Sequence, residues 1–390
     1  MPPLYAHLQA ALDEARAGSR LRALAPAAIA PHGRLLRGGQ SFLDFSSNDY
    51  LGLTQHPLIV ERACEWAALH GAGAGASRLV SGTSALHLAV ERRIARFKGT
   101  EAALLFASGW QANAAVLAAL LKAAPGTLLF TDRLIHASLH HGCAAAGTRQ
   151  IRFRHNDLDH LEALLDERRG KPGVRMIVTE SVFSMDGDRA DLERLAAIAR
   201  RHEAFLYLDE AHATGVLGPG GAGLSASLPG TVDLAMGTFS KAFGGFGGYV
   251  AGSRLLIDYL VNACGGFVFS TAPPPALLGA IDAALDLIPS MDAERARLAA
   301  RGEQVRRALR DRGYDVGAST THIVPVVLGE PEAALAASRR LEQAGILAAA
   351  IRPPTVPPGS SRLRLALRST HSDEDVERLL DALAAAPVTA

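Results

Sequence analysis

Residues 204–212 read AFLYLDEAH, five apolar or aromatic residues followed by Asp209, Glu210, Ala211 and His212. The run Ala204–Leu208 has no polar alternation, so it predicts a short strand buried on both faces. Similar runs recur at Ala102–Phe106 (AALLF), Thr127–Thr131 (TLLFT) and Arg175–Thr179 (RMIVT), with Leu234–Gly237 and Gly248–Ala251 after them. Helical spacing fills gaps between them, from about Trp110 to Leu121 and from Leu192 to His202. Short buried strands alternating with helices predict an α/β fold whose mostly parallel sheet is covered on both sides. The alternation breaks at Ser270–Pro275 (STAPPP). A long helical stretch is expected from about Ala276 to Arg312. Beyond it come a strand (Ile323–Leu328), a helix (Glu332–Gln343), a proline-rich loop (Arg352–Gly359), a strand (Arg362–Leu367) and a helix (Asp373–Ala384). Upstream, Leu4, Leu8 and Leu12 give helical spacing within a helix read from about Leu4 to Ile29, and Phe42–Leu53 reads as extended. The expected organisation is an N-terminal helix and extended segment over 1–50, a large domain over 51–285 and a small C-terminal α/β domain over 286–390.

Composition narrows the function classes. Across 390 residues, 40 Lys and Arg face 39 Asp and Glu, a formal net charge of +1. Nucleic-acid and anionic-membrane binders carry a basic excess or block, and neither is present, so no nucleic acid and no membrane partner is expected. Apolar runs stay short of the ~20 residues a membrane helix needs. The three cysteines, Cys64, Cys143 and Cys264, form no CxxC pair. This pattern suits a reducing compartment without structural zinc. No signal-peptide pattern opens the chain, and the expectation is a cytoplasmic protein. His136 and His140 stand four apart, but Ala137 occupies the glutamate position of HExxH, and no metal site is expected. Glycines at Gly71–Gly75 have the wrong spacing for GxGxxG. Neither GxxxxGK[ST] nor GxSxG occurs.

Basic residues here are nearly all arginine; the lysines are Lys98, Lys122, Lys171 and Lys241. The first two fall near predicted helix ends and the third in a loop, so all three read as solvated charges. Lys241 lies after a strand in GTFSKAFGGFGG (237–248), which holds no other charge. Only a lysine can form a Schiff base with an aldehyde cofactor, and desolvation favours the neutral amine that this needs. Arginine stays protonated and cannot replace it; a lysine snorkelling from a loop is the plain alternative. Asp209 ends its strand where parallel sheets hold ligands. An aspartate there can keep a pyridine ring cationic, as pyridoxal phosphate requires, or it can merely cap the next turn. His212 is within reach of a ring hydroxyl. Ser108, Gly109, Trp110, Gln111 and Asn113 lie between a strand and a helix, where free N–H groups suit a phosphate, although Ser108 also suits an ordinary N-cap.

Six segments together identify a family. They are Ser47–Leu53 (SNDYLGL), Ser108–Trp110, Thr179–Gly187 (TESVFSMDG), Leu208–His212, Gly237–Lys241 and Ile351–Pro357 (IRPPTVP). In this order, over nearly the whole chain, the sequence resembles the α-oxoamine synthases, pyridoxal-phosphate enzymes of the aspartate-aminotransferase fold type (fold type I). The resemblance implies a large domain with a mostly parallel central sheet and a smaller C-terminal α/β domain. It implies that Lys241 binds the cofactor covalently, that Asp209 pairs with the pyridine nitrogen and that His212 lies near the ring oxygen. Gly109 and Trp110 would seat the phosphate, Thr238 and Ser184 contact the cofactor, and His136 stack on its ring. Arg364 matches the arginine that grips the amino-acid carboxylate, and Thr355, Arg22 and Asn48 match substrate-side positions. Ser270 and Thr271 match a phosphate contact supplied by a neighbouring subunit, implying a homodimer with shared active sites. Ile351–Pro357 points to the branch that joins L-alanine to pimeloyl-CoA or pimeloyl-acyl-carrier protein. Other branches use glycine or serine and other thioesters; a non-catalytic regulatory subunit should lack the lysine. Trp110 departs from the family's Phe or Tyr, and Gly71–Arg78 (GAGAGASR) partly replaces its glycine pattern.

Overall fold

The computed structural model describes residues 2–30 and 33–384, so the final six positions of the expected 286–390 domain lie outside the described residues. Two compact units result, one of Asn48–Ser184 and Arg189–Ala296, the other of Met1–Ser47, Met185–Asp188 and Arg297–Ala390.

The larger unit is built on seven strands: β1 (Ala102–Phe106), β2 (Leu128–Asp132), β3 (Gln150–Phe153), β4 (Arg175–Glu180), β5 (Ala204–Asp209), β6 (Leu234–Thr238) and β7 (Gly248–Gly252). Their order is β1-β7-β6-β5-β4-β2-β3. Strands β2 to β6 run parallel, and β7 is antiparallel to both β1 and β6. The unbroken apolar runs have the predicted cause. On β5, Leu206 and Leu208 join one core and Tyr207 the other; on β4, Ile177 faces the first and Met176 and Val178 the second. Helix Leu192–Arg201 covers one face through Leu195 and Ile198, and helix Gly109–Ala123 covers the other through Val116 and Leu117. Strand β7 turns back against the start of that second helix. A Cβ on Gly248 would lie 2.8 Å from the Gly109 nitrogen, so only glycine lets the chain pass there. At the carboxyl ends, β2, β4, β5 and β6 extend one residue beyond the apolar run and finish in buried polar residues: Asp132, Glu180, Asp209 and Thr238.

The smaller unit holds an antiparallel sheet of Ile323–Gly329, Ser361–Ala366 and Ala349–Ile351. A second sheet contains Ala28–Ala30, Arg34–Arg37, Gln40–Asp44 and Ile346–Leu347. The N-terminal segment expected over 1–50 therefore folds together with the C-terminal region. Leu43 donates its N–H to Gly345 O at 2.9 Å and Phe45 donates to Leu347 O at 2.8 Å. The N-terminal helix is shorter than expected, Pro3–Ala17. The helix expected over 276–312 is interrupted: Pro275–Leu287, a 3₁₀ turn at Ile288–Ser290, then Asp292–Asp311. Pro289 lacks the N–H that would continue the ladder.

Lys98 corrects the sequence reading. It is fully buried, not solvated: Nζ donates to Glu210 Oε2, to Ala222 O and, at 3.1 Å, to Ser225 Oγ. Burial pulls its pKa down, but the facing Glu210 carboxylate prevails and holds it above the ordinary value. Glu210 also accepts from Ser225 N at 3.0 Å, so the pair ties the turn after Asp209 to helix Ala85–Lys98 and to the loop at 222–225. Lys98→Met strands a buried carboxylate. It is expected to cost about 3–5 kcal/mol, read as a lowered denaturant midpoint at an unchanged slope.

Candidate active site

A cleft of about 260 Å³ opens at the carboxyl ends of β4, β5 and β6, beside the start of helix Gly109–Ala123. Lys241, His212, Asp209, His136, Thr238, Gly109 and Trp110 all line it. Lys241 follows β6 in a glycine-rich loop and is partly buried. Its Nζ lies 2.9 Å from His212 Nε2, and His212 Nδ1 lies 2.6 Å from the Tyr50 hydroxyl. That hydroxyl donates to Asn48 Oδ1 at 2.9 Å. Its one proton being spent there, His212 must donate from Nδ1, which leaves Nε2 as the acceptor facing Lys241. Asn48 therefore sets the tautomer of a histidine two steps away.

Asp209 is held by a second directed chain. The Tyr207 hydroxyl donates to Asn113 Oδ1 at 2.9 Å, and Asn113 Nδ2 donates to Asp209 Oδ2 at 2.7 Å. Ala211 N donates to Asp209 Oδ1 at 2.8 Å. Both carboxylate oxygens thus have donors. Asn113 Nδ2 also reaches Ser138 Oγ at 3.0 Å, which lies 2.7 Å from His136 Nδ1. The Trp110 and His136 rings meet edge to face at 5.8 Å. Burial lowers the His136 pKa, helped by Lys241 and His140 and opposed by Asp209, so its imidazole is neutral at pH 7.

Helix Gly109–Ala123 begins at the cleft. Ser108 accepts from Gln111 N at its side chain and from Ala112 N at its carbonyl. The amides of Gly109 and Trp110 remain at the helix start, facing the cleft edge, and suit an anion. Thr238 Oγ1 donates to Gly247 O at 2.8 Å and lies 2.8 Å from Ser240 Oγ. A helix-start anion site, a primary amine and a carboxylate with two donors fit the phosphate, aldehyde and pyridine nitrogen of pyridoxal phosphate.

Not every residue read from the sequence meets here. Ser184, Ser270 and Thr271 lie outside the cleft lining; Ser270 Oγ instead accepts from Gln111 Nε2 at 2.7 Å. Arg22, Thr355 and Arg364 belong to the smaller unit. There Arg22 donates to Thr355 Oγ1 at 3.3 Å, and buried Arg364 sits on strand Ser361–Ala366 in register with Pro325 and Ala349. Sequence reasoning gave no role to Tyr50 or Glu180, and named Asn113 only within the helix-start cluster and not as a partner of Asp209. Tyr50 stands in the SNDYLGL segment two residues from Asn48, and Asn113 lies one helical turn past Gly109, on the face already assigned to the site.

The site and fold define a class before they define a reaction. The chain belongs to the class I and II aminotransferase family, which it matches over residues 40–383. A serine palmitoyltransferase from S. paucimobilis with a bound PLP–myriocin aldimine superposes with a TM-score of 0.90 at 27% identity, covering 97% of this chain and 96% of that one. In sequence it is similar to proteins of one name: the 8-amino-7-oxononanoate synthase of Gluconacetobacter diazotrophicus is 59% identical over 380 residues, 96% of this chain and 95% of that protein. The crystal structure of the Francisella tularensis protein of that name matches with a TM-score of 0.76 at 26% identity, covering 88% of this chain and 97% of that one.

Proposed function

We propose that the chain is an 8-amino-7-oxononanoate synthase, a pyridoxal-phosphate-dependent acyltransferase of biotin synthesis. It condenses L-alanine with pimeloyl-CoA or pimeloyl-acyl-carrier protein, releasing CO2 and free thiol. The observation that carries this reading is the cleft itself, with Lys241 and Asp209 on one floor and the start of a helix at its rim; the names of the relatives supply the substrates.

Pyridoxal phosphate supplies an aldehyde that captures an amine and a cationic ring that accepts the electrons freed at the amino acid's α-carbon. Lys241 would hold the cofactor, and its Nζ, within reach of the amino acid's α-carbon, would accept the α-proton and later return one. His212 Nε2 orients that amine. Asp209, with Asn113 and Ala211 donating to its two oxygens, would pair with the ring nitrogen and keep a proton there. Neutral His136 offers a flat face for stacking without adding positive charge. Gly109, Trp110 and Thr238, which line the cleft, would hold the phosphate and ring, and Ser184, with Ser270 and Thr271 of a second copy, would reach the cofactor from outside that lining. Arg364 grips the alanine carboxylate, with Asn48, Arg22 and Thr355 on the substrate side. The proposed species is a cytoplasmic homodimer; Phe269, beside Ser270, is 87% exposed in the single chain. No helix among the described residues is long and apolar enough to cross a membrane.

The deciding assay measures thiol release from pimeloyl-CoA with L-alanine against acetyl-CoA with glycine. The first pair is expected to be preferred by at least ~10²-fold in kcat/KM, since misfit in an acyl pocket costs about 1–3 kcal/mol per methylene. Preference for the second pair would move the chain to another branch of the family.

A further inference from the structure

Glu180 ends β4 directly beside the end of β5, where it is the register partner of Asp209. In-register partners on parallel strands point to the same face about 4.8 Å apart, and both side chains line the cleft. Both are buried, at 2% and 4% exposure. Their surroundings differ in one respect. Asp209 has a donor on each oxygen, whereas Glu180 Oε1 has no hydrogen-bond partner among the described residues. Two adjacent buried carboxyls do not both ionise, and the proton settles on the one with fewer donors.

We propose that Glu180 is a positioning residue that stays a neutral carboxylic acid, so that Asp209 alone carries the negative charge of the pair. The groups facing it come from three other elements. Asp209 on β5 and Asp132 on β2 oppose its ionisation. Lys241 after β6 and the His136 backbone amide after β2 favour it. Burial dominates all four and drives its pKa well above the ordinary 4.5. Only the consequence for the cofactor rests on the function proposed above: a second anion beside Asp209 would compete for the ring's positive charge, and a neutral acid does not. The protonation of Glu180 belongs to the folded chain itself.

The test separates the two. Unfolded, Glu180 loses its proton above its ordinary pKa; folded, it keeps it. The native state therefore binds about one more proton, and stability falls as pH rises from about 4.5 toward the raised folded value. Glu180→Gln mimics the neutral acid and removes this dependence. Thermal unfolding of full-length wild type and E180Q, both without pyridoxal phosphate, is compared from pH 6 to pH 9. E180Q is expected to gain on wild type as pH rises, by about 1–2 °C per pH unit over the range in which folded Glu180 keeps its proton. A gap that stays flat with pH, or an E180Q protein that loses ground as pH rises, overturns the proposal. A protein that shows the expected gap but takes up no cofactor would refute the function and leave this inference standing. Should E180Q fail to fold, the carboxyl ¹³C shift of Glu180 in wild type decides: a carboxyl that stays protonated well above its ordinary 4.5 supports the proposal, and one titrating at that value overturns it.

Discussion

Lys241→Ala is expected to abolish turnover, a loss of at least ~10³-fold, because on the proposed function one side chain both anchors the cofactor and moves the α-proton. The geometry makes the position hard to replace. Nζ sits 2.9 Å from an imidazole nitrogen whose acceptor state is fixed by Tyr50 and Asn48. No other lysine stands among the residues lining the cleft; Lys98, buried nearby in the chain's core, is committed to Glu210. Lys241→Arg is expected to be equally inactive, since a guanidinium holds its proton at any working pH. The measurement is borohydride trapping followed by peptide mapping. In wild type the pyridoxyl group should be found on Lys241, and in Lys241→Ala nowhere. Trapping on another side chain, or multiple turnovers by the alanine variant, would remove the basis of the proposed function.

The parts of this design that were legible in the sequence are those whose cause is local. Strands buried on both faces leave unbroken apolar runs, so β1, β2, β4 and β5 stand out within a residue of their ends. Lys241 and Asp209 stand out because each interrupts an apolar or glycine-rich context with a charge. What stayed hidden depends on remote partners. The direction of β7 is set by its pairing with β1 and β6, and nothing within Gly248–Gly252 encodes it. The burial of Lys98 follows from Glu210, 112 positions away. The N-terminal strands join the C-terminal region through Leu43 and Gly345, a contact no local window contains. Glu180 lies one residue past the predicted strand Arg175–Thr179; only the register with Asp209 gives it a neighbouring carboxyl. Tyr50 is fully buried for its hydroxyl as much as for its ring, and apolar patterning cannot distinguish the two.

Asp209→Asn is expected to lower kcat by about 10²–10⁴-fold, corresponding to about 3–5 kcal/mol, while leaving the fold intact. The substitution keeps size and shape but replaces a charged acceptor with a group that is half donor. Two donors converge on Asp209, from Asn113 and from Ala211. An amide can present its oxygen to only one of them. If it keeps Ala211, its NH2 faces the Asn113 NH2, and Asn113 must rotate, turning its own NH2 toward the Tyr207 hydroxyl that had donated to its oxygen. The ring nitrogen loses its anion in either case. Cofactor affinity should fall less than kcat, since the helix start and Lys241 still hold the other end. The variant also removes the charge that helps keep Glu180 protonated. With Asn at 209, Glu180 is the one carboxyl left of the two, its pKa falls from the raised value set by burial and Asp209, and it can supply part of the missing charge from its neighbouring position. Asp209→Asn combined with Glu180→Gln is therefore expected to lose at least ~10-fold more in kcat than Asp209→Asn alone, about 1.4 kcal/mol, and more than the two single losses together. Single-turnover kinetics of the four proteins would measure that coupling. Strict additivity would show the two carboxyls to be independent despite sharing the floor of one cleft.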